Sequence, residues 1–208
     1  MTQNLKKKTL SGFMWRFAEK CGAEVIQFIV SIVIARILSP SDYGIIGLIT
    51  VFITVASVFA TSGLGQALVQ KKEIDSTDYS TAFYYSIVFS TLLYIILFFA
   101  APYIAGFYGE PELIPVVRVL SITVIIGSVN SIQQAYVQKT MQFRRFFVST
   151  LSGKLISAVV GIYMAYKGCG VWALVGQQIT MSIVNTGVLA VTINWHPQLK
   201  FSFIRMKS

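Results

Sequence analysis

The chain has 208 residues, 55% of them hydrophobic and only 12% charged, with a mean hydropathy of +0.69; a soluble domain of this size cannot bury so much apolar surface. The formal net charge of +9 raises nucleic acid as a partner. The basic residues, however, stand at the ends of apolar segments instead of forming an aromatic-interleaved stripe, which speaks against nucleic acid and suits orientation in a membrane. Two cysteines in separate segments and a single histidine, His196, give no disulfide framework and no zinc or di-iron ligand set, so neither a metal nor a cofactor is expected.

Six spans of about 20 residues would use nearly the whole chain as a single transmembrane domain over 1–208, an all-α polytopic membrane protein. Lys6, Lys7 and Lys8 precede an apolar run, as in a signal peptide. The run carries Arg16, Glu19, Lys20 and Glu24 and lacks a small-x-small site, so it reads as a retained first span over about 12–38. At 100° per residue Arg16, Lys20, Glu24, Gln27 and Ser31 fall in a wedge of roughly 80°, a polar stripe on a membrane-length helix. Ionisable groups at mid-bilayer cost at least about 2.5–3.5 kcal/mol each, so such a stripe should face a wet cavity or other protein. Two plainer readings compete. Lys20 and Glu24 can neutralise each other at i, i+4, and Arg16 can snorkel to the headgroups.

Pro40, with Ser39, Ser41 and Asp42, ends this span and caps the next, and the short turn predicts an antiparallel hairpin of spans one and two. Span two, about 43–69, is almost uncharged, and Gly47, Thr50, Thr54, Ser57 and Thr61 share a face that reads as a close-packing seam, with cavity lining as the alternative. Gly63-Leu64-Gly65-Gln66 follows no strand and has no Lys-Ser/Thr after it, so it is not a phosphate loop. A polar loop with Lys71, Lys72, Glu73, Asp75 and Asp78 leads to span three, about 81–101, and Ala101-Pro102 closes it. Span four, about 113–138, carries Arg118 and a hydrogen-bonding side made by Ser131, Gln134 and Gln138. On span five, about 146–166, Lys154, Ser157, Ala158, Gly161 and Ala165 share a face, so Lys154 either reaches the interior of Arg16 and Lys20 or snorkels. Span six, about 171–194, aligns Gln178, Ser182 and Asn185 between Trp172 and Trp195, aromatics placed for the two interfaces.

One set of segment ends holds Lys6 to Lys8, Lys71, Lys72, Lys139, Arg144, Arg145, Lys200, Arg205 and Lys207, and the other holds Arg36, Arg118 and Lys167. The positive-inside rule therefore puts both termini in the cytoplasm. No nucleophile and base, metal cluster or long aqueous loop suggests an enzyme.

The strings Ala35–Gly44, Gly63–Lys71, Ala101-Pro102, Leu113–Leu120, Met141–Arg144 and Gly168–Leu174, in this order and spacing, resemble the bacterial polysaccharide biosynthesis/export family. That family includes flippases for lipid-linked polysaccharide repeat units, in a superfamily that also holds multidrug exporters. The resemblance implies two six-helix lobes around a cavity that opens alternately to each side, of which this chain holds the first, the second lobe being absent. It further implies translocation of an undecaprenyl-pyrophosphate-linked oligosaccharide across the bacterial inner membrane, with polysaccharide polymerase and export machinery, membrane lipids and a second lobe or copy as partners. On that reading Arg16, Lys20 and Lys154 would attract the pyrophosphate, and Gln27, Gln134, Gln178 and Asn185 would hydrogen-bond the sugar. Glu24 is either a proton or cation coupling site or a static neutraliser. The rivals are a multidrug or cation antiporter and a non-transporting remnant or assembly scaffold.

Overall fold

The computed structural model describes residues 2–61 and 76–193, with side chains from Gly12 onward except those of Phe13, Ser76 and Thr77. Seven helices account for them: α1 Thr2–Ala35, α2 Pro40–Thr61, α3 Ser76–Tyr108, α4 Leu113–Leu120, α5 Ile122–Lys139, α6 Phe143–Tyr166 and α7 Val171–Thr192. Gly63–Gln66, Lys71, Lys72, Trp195, His196 and the basic tail lie outside the described residues.

Among the described residues, five helical segments are long and apolar enough to cross a membrane, namely Pro40–Thr61, Asp78–Tyr108, Leu113–Lys139, Phe143–Tyr166 and Val171–Thr192. The protein is thus an all-α polytopic membrane protein. α1 is not one of the five, because its charges extend to Glu24 and leave only Val25–Ala35 uncharged.

The turn between α1 and α2 explains itself from the sequence. Ser39 is the N-cap and Pro40 the first helical residue, where a missing N–H costs nothing. The Asp42 carboxylate accepts from the Ser39 amide at 3.0 Å and from its hydroxyl at 2.7 Å, while the Asp42 amide donates to Ser39 Oγ at 3.3 Å. This is a reciprocal capping box. The expected hairpin nevertheless stops at the turn, where Val30 and Ile34 join Ile45, Ile46 and Ile49 in one cluster. Beyond it α1 lies along α6, and α2 packs on α5 and α3.

α1 and α6 run parallel, since Gly12 meets Phe143, Arg16 meets Phe146, Glu19 meets Thr150 and Gln27 meets Lys154. α6 and α7 form the tightest pair, antiparallel across the turn Lys167–Gly170. Small residues allow this approach: a Cβ on Gly161 would lie 3.0 Å from Gln177 Cβ, and one on Gly153 would lie 3.1 Å from the Met181 sulfur.

Two expectations about helix limits are corrected. α3 does not end at Ala101 but runs through Pro102 to Tyr108. A proline there cannot bond the Phe98 carbonyl four residues back, and the Arg118 guanidinium takes its place, donating from Nε at 3.4 Å and covering the Phe98 ring at 4.3 Å. The fourth segment is two helices joined at Ser121, whose fully buried hydroxyl bonds the Val117 carbonyl at 2.6 Å. The expected seam of α2 is exposed over its first part and half-buried at Ser57 and Thr61. Gly47, Thr50 and Thr54 are exposed, with no atom within 4 Å of a Cβ built on Gly47, whereas Ile45, Ile46, Ile49, Ala56 and Ala60 are buried.

Candidate functional site: a cationic cavity between five helices

Lys154 lies eleven residues from the start of α6 and twelve from its end, at the midpoint of a membrane-length helix. At 1.5 Å per residue, about 17 Å of helix separates it from either end, further than its side chain can snorkel. Its Nζ donates to Gln27 Oε1 of α1 at 2.7 Å, and Glu24, one turn earlier on α1, interacts with it electrostatically. Both Lys154 and Gln27 are half-buried, so the pair is open on one side.

That open side is a cavity of about 400 Å³. Gln27 and Lys154 line it together with Ser157 of α6, Gln177, Gln178, Met181 and Ser182 of α7, Tyr43 and Ile46 of α2, and Thr123 of α5. The described residues that line it include one cation, several hydrogen-bonding groups and no carboxylate. The Tyr43 hydroxyl is buried without a hydrogen-bond partner, a free donor for a guest. Chemically, the cavity can hold an anion against a hydrogen-bonding wall.

Three of the candidate residues, Gln27, Lys154 and Gln178, therefore meet in one place. The other five do not line it. Arg16 stands about 16 Å along α1 from Gln27, paired with Glu19 at 2.9 Å and covering the Phe146 ring at 3.9 Å. Glu19, only 7% exposed, also accepts from Thr150 Oγ1 at 2.9 Å, so Arg16 belongs to an α1–α6 contact rather than to the cavity. Lys20 and Glu24 are exposed on α1, Glu24 near enough to act electrostatically on Lys154 without lining the cavity. Gln134 bonds Asn130 on its own helix, and Asn185 packs over Gly153 with its carboxamide oxygen buried and unpaired.

Sequence reasoning missed Tyr43, Thr123, Gln177 and Met181 as lining residues, and Glu19 as the partner of Arg16. The i, i+3 spacing of Arg16 and Glu19 carried that last signal. The lining residues gave none, because their approach depends on tertiary packing of helices far apart in sequence.

The site is thus a cationic, hydrogen-bonding cavity within an all-helical membrane bundle. Over residues 33–208 the chain matches the family described as polysaccharide biosynthesis protein. It belongs to that family. Among curated relatives it is 23% identical over 99% of its length to the succinoglycan biosynthesis transport protein ExoT of Rhizobium meliloti, covering 42% of that protein. It is 25% identical over 98% of its length to the teichuronic acid biosynthesis protein TuaB of Bacillus subtilis, covering 43% of it. To the lipopolysaccharide biosynthesis protein WzxC of Escherichia coli it is 22% identical over 96% of its length, covering 41%. The chain thus spans less than half the length of the curated relatives it matches. No solved structure matches it.

Proposed function

We propose that this chain is one lobe of a carrier that moves a lipid-linked oligosaccharide across the bacterial plasma membrane for surface polysaccharide synthesis. The carrying observation is a lysine at mid-membrane depth, held by one glutamine and open to a polar cavity. A charge there is costly, and it is expected where a substrate of opposite charge passes. The physical task is to take a sugar and a pyrophosphate through hydrocarbon, with the undecaprenyl tail left in lipid. Lys154 supplies the positive charge for the pyrophosphate, and Gln27, Gln178 and Ser182 supply hydrogen bonds that replace water on the sugar hydroxyls.

Cavity size supports the assignment to a half. About 400 Å³ is near the small end of ligand cavities and takes a pyrophosphate with little more than one sugar. A second lobe, from a longer chain or another copy, would complete the space. The exposed Gly47, Thr50 and Thr54 of α2 would face it or the aqueous cleft between the lobes. By the positive-inside rule both termini are cytoplasmic in this reading, and α1 acts as a sixth span. The relatives, named for succinoglycan transport and for teichuronic acid and lipopolysaccharide biosynthesis, agree with this substrate class. An exporter of cationic drugs fits less well, because no carboxylate is among the described lining residues.

The test is surface polysaccharide in a strain whose only copy carries Lys154→Met. Export should fall at least tenfold with normal amounts of protein in the membrane, and Lys154→Arg should retain part of it. Wild-type export by Lys154→Met would contradict the proposal.

A further inference from the structure

The end of the bundle where Arg144 and Arg145 stand contains a second, larger cavity, of about 560 Å³, which the transport reading does not use. Trp15 of α1 and Val148 of α6 form its apolar wall, and Gln142, the N-cap of α6, with Arg144 and Arg145 of its first turn forms its polar mouth. Trp15 is held edge-on to Phe147 at 5.1 Å between ring centres.

Several independent features point the same way. Among the described residues, Arg145 Nη1 and Gln142 Oε1 are both buried side-chain atoms with no hydrogen-bond partner, and both belong to this mouth. A buried guanidinium nitrogen left unpaired is costly, so it calls for an acceptor, and the carboxamide oxygen calls for a donor. Gln142 is also the N-cap of the 24-residue α6 without a capping side-chain bond, and no acidic residue stands in the first turn. The positive end of that helix therefore adds to the two arginines.

We propose that this cavity seats the headgroup of an anionic glycerophospholipid of the phosphatidylglycerol type. The phosphodiester bridges Arg144, Arg145 and the open amides of α6. A glycerol hydroxyl donates to Gln142 Oε1, and the upper acyl chain lies against Trp15 and Val148. The mixture of an apolar wall and a cationic mouth separates a lipid from free phosphate, which has no use for the wall. Basic pockets between membrane helices at headgroup level are suited to this class of ligand. The site is separate from Lys154 and stands or falls without it.

Trp15 is its own reporter once Trp172 and Trp195 are removed by W172F and W195F. The 208-residue chain is reconstituted in phosphatidylcholine vesicles with equal mole fractions of chain-brominated phosphatidylglycerol or chain-brominated phosphatidylcholine. Brominated phosphatidylglycerol should quench Trp15 more strongly. R144Q and R145Q should each weaken this preference by about fivefold, the worth of one basic residue at an anionic surface. R144K and R145K, which keep the charge, should retain most of it, and that separates loss of binding from loss of fold. Equal quenching by the two lipids, or a preference that survives R144Q/R145Q, overturns the proposal. Displacement by millimolar inorganic phosphate overturns it in favour of a free-anion site, and displacement by traces of polyprenyl pyrophosphate overturns it in favour of a site for the transported substrate.

Discussion

At the scale of single residues, what decides the site is where each charge can be satisfied. Lys154 donates one hydrogen bond, to Gln27, and feels the Glu24 carboxylate, whereas Arg16 pairs with Glu19 and packs over Phe146 and, at 5.7 Å, Phe143. Arg16 is thereby committed to the α1–α6 contact, and Lys154 faces the cavity. The glycines beside Lys154 fix its position as much as its own bond does. Gly161 is buried against Gln177, and a larger side chain would push α7 away through a Cβ that has no rotamer to escape into. Gly161→Val should destabilise the fold by about 1–3 kcal/mol, the usual cost of overpacking. Thermal unfolding in detergent should show a clear fall in midpoint against wild type. An unchanged midpoint would mean that the α6–α7 contact is looser than described.

At the scale of elements, the helices and their caps were largely legible and their partners were not. Ser39, Pro40 and Asp42 signal a helix end and a helix start by local chemistry, and the structure shows that chemistry as hydrogen bonds. Pro102 misled, because the rule that proline stops a helix assumes that the freed carbonyl has nowhere else to turn. Here Arg118, sixteen residues later, supplies the donor to Phe98, a compensation that no local rule can see. The two substitutions should be coupled. Arg118→Leu should destabilise wild type, and should cost about 1 kcal/mol less in a Pro102→Ala background, where the residue 102 amide can bond Phe98 again. Strict additivity in the double-mutant cycle would remove this account of why α3 continues.

At the scale of the whole molecule, lipid erases the cue that sequence reading most depends on. A helix in water shows its buried face by an apolar stripe, but a membrane helix is apolar towards lipid as well. Val51, Val55 and Val58 are exposed on α2 while Ile45, Ile46 and Ile49 are buried, and nothing in their chemistry tells the two sets apart. For the same reason the polar stripe of α2 reads as a packing seam although Gly47, Thr50 and Thr54 are exposed. Polar residues on α1, α6 and α7 gave a better guide, since Gln27, Lys154 and Gln178, on three separate helices, do meet. Arg16, on the same stripe as Gln27, lies elsewhere because a helical wheel gives direction around the axis and leaves out depth along it.

The central claim, that the cavity around Lys154 lies on a wet transport path, is tested most directly by cysteine labelling at Gln178. Cys21 and Cys169 are both exposed, so they are first replaced by serine. Gln178→Cys is then treated with a membrane-impermeant maleimide in intact spheroplasts and in inverted vesicles. The account predicts labelling from at least one side, and slower labelling when cells make the lipid-linked oligosaccharide than when its synthesis is blocked. Absence of labelling from both sides, in protein that reacts fully once denatured, would show a dry helix interface there and contradict the account.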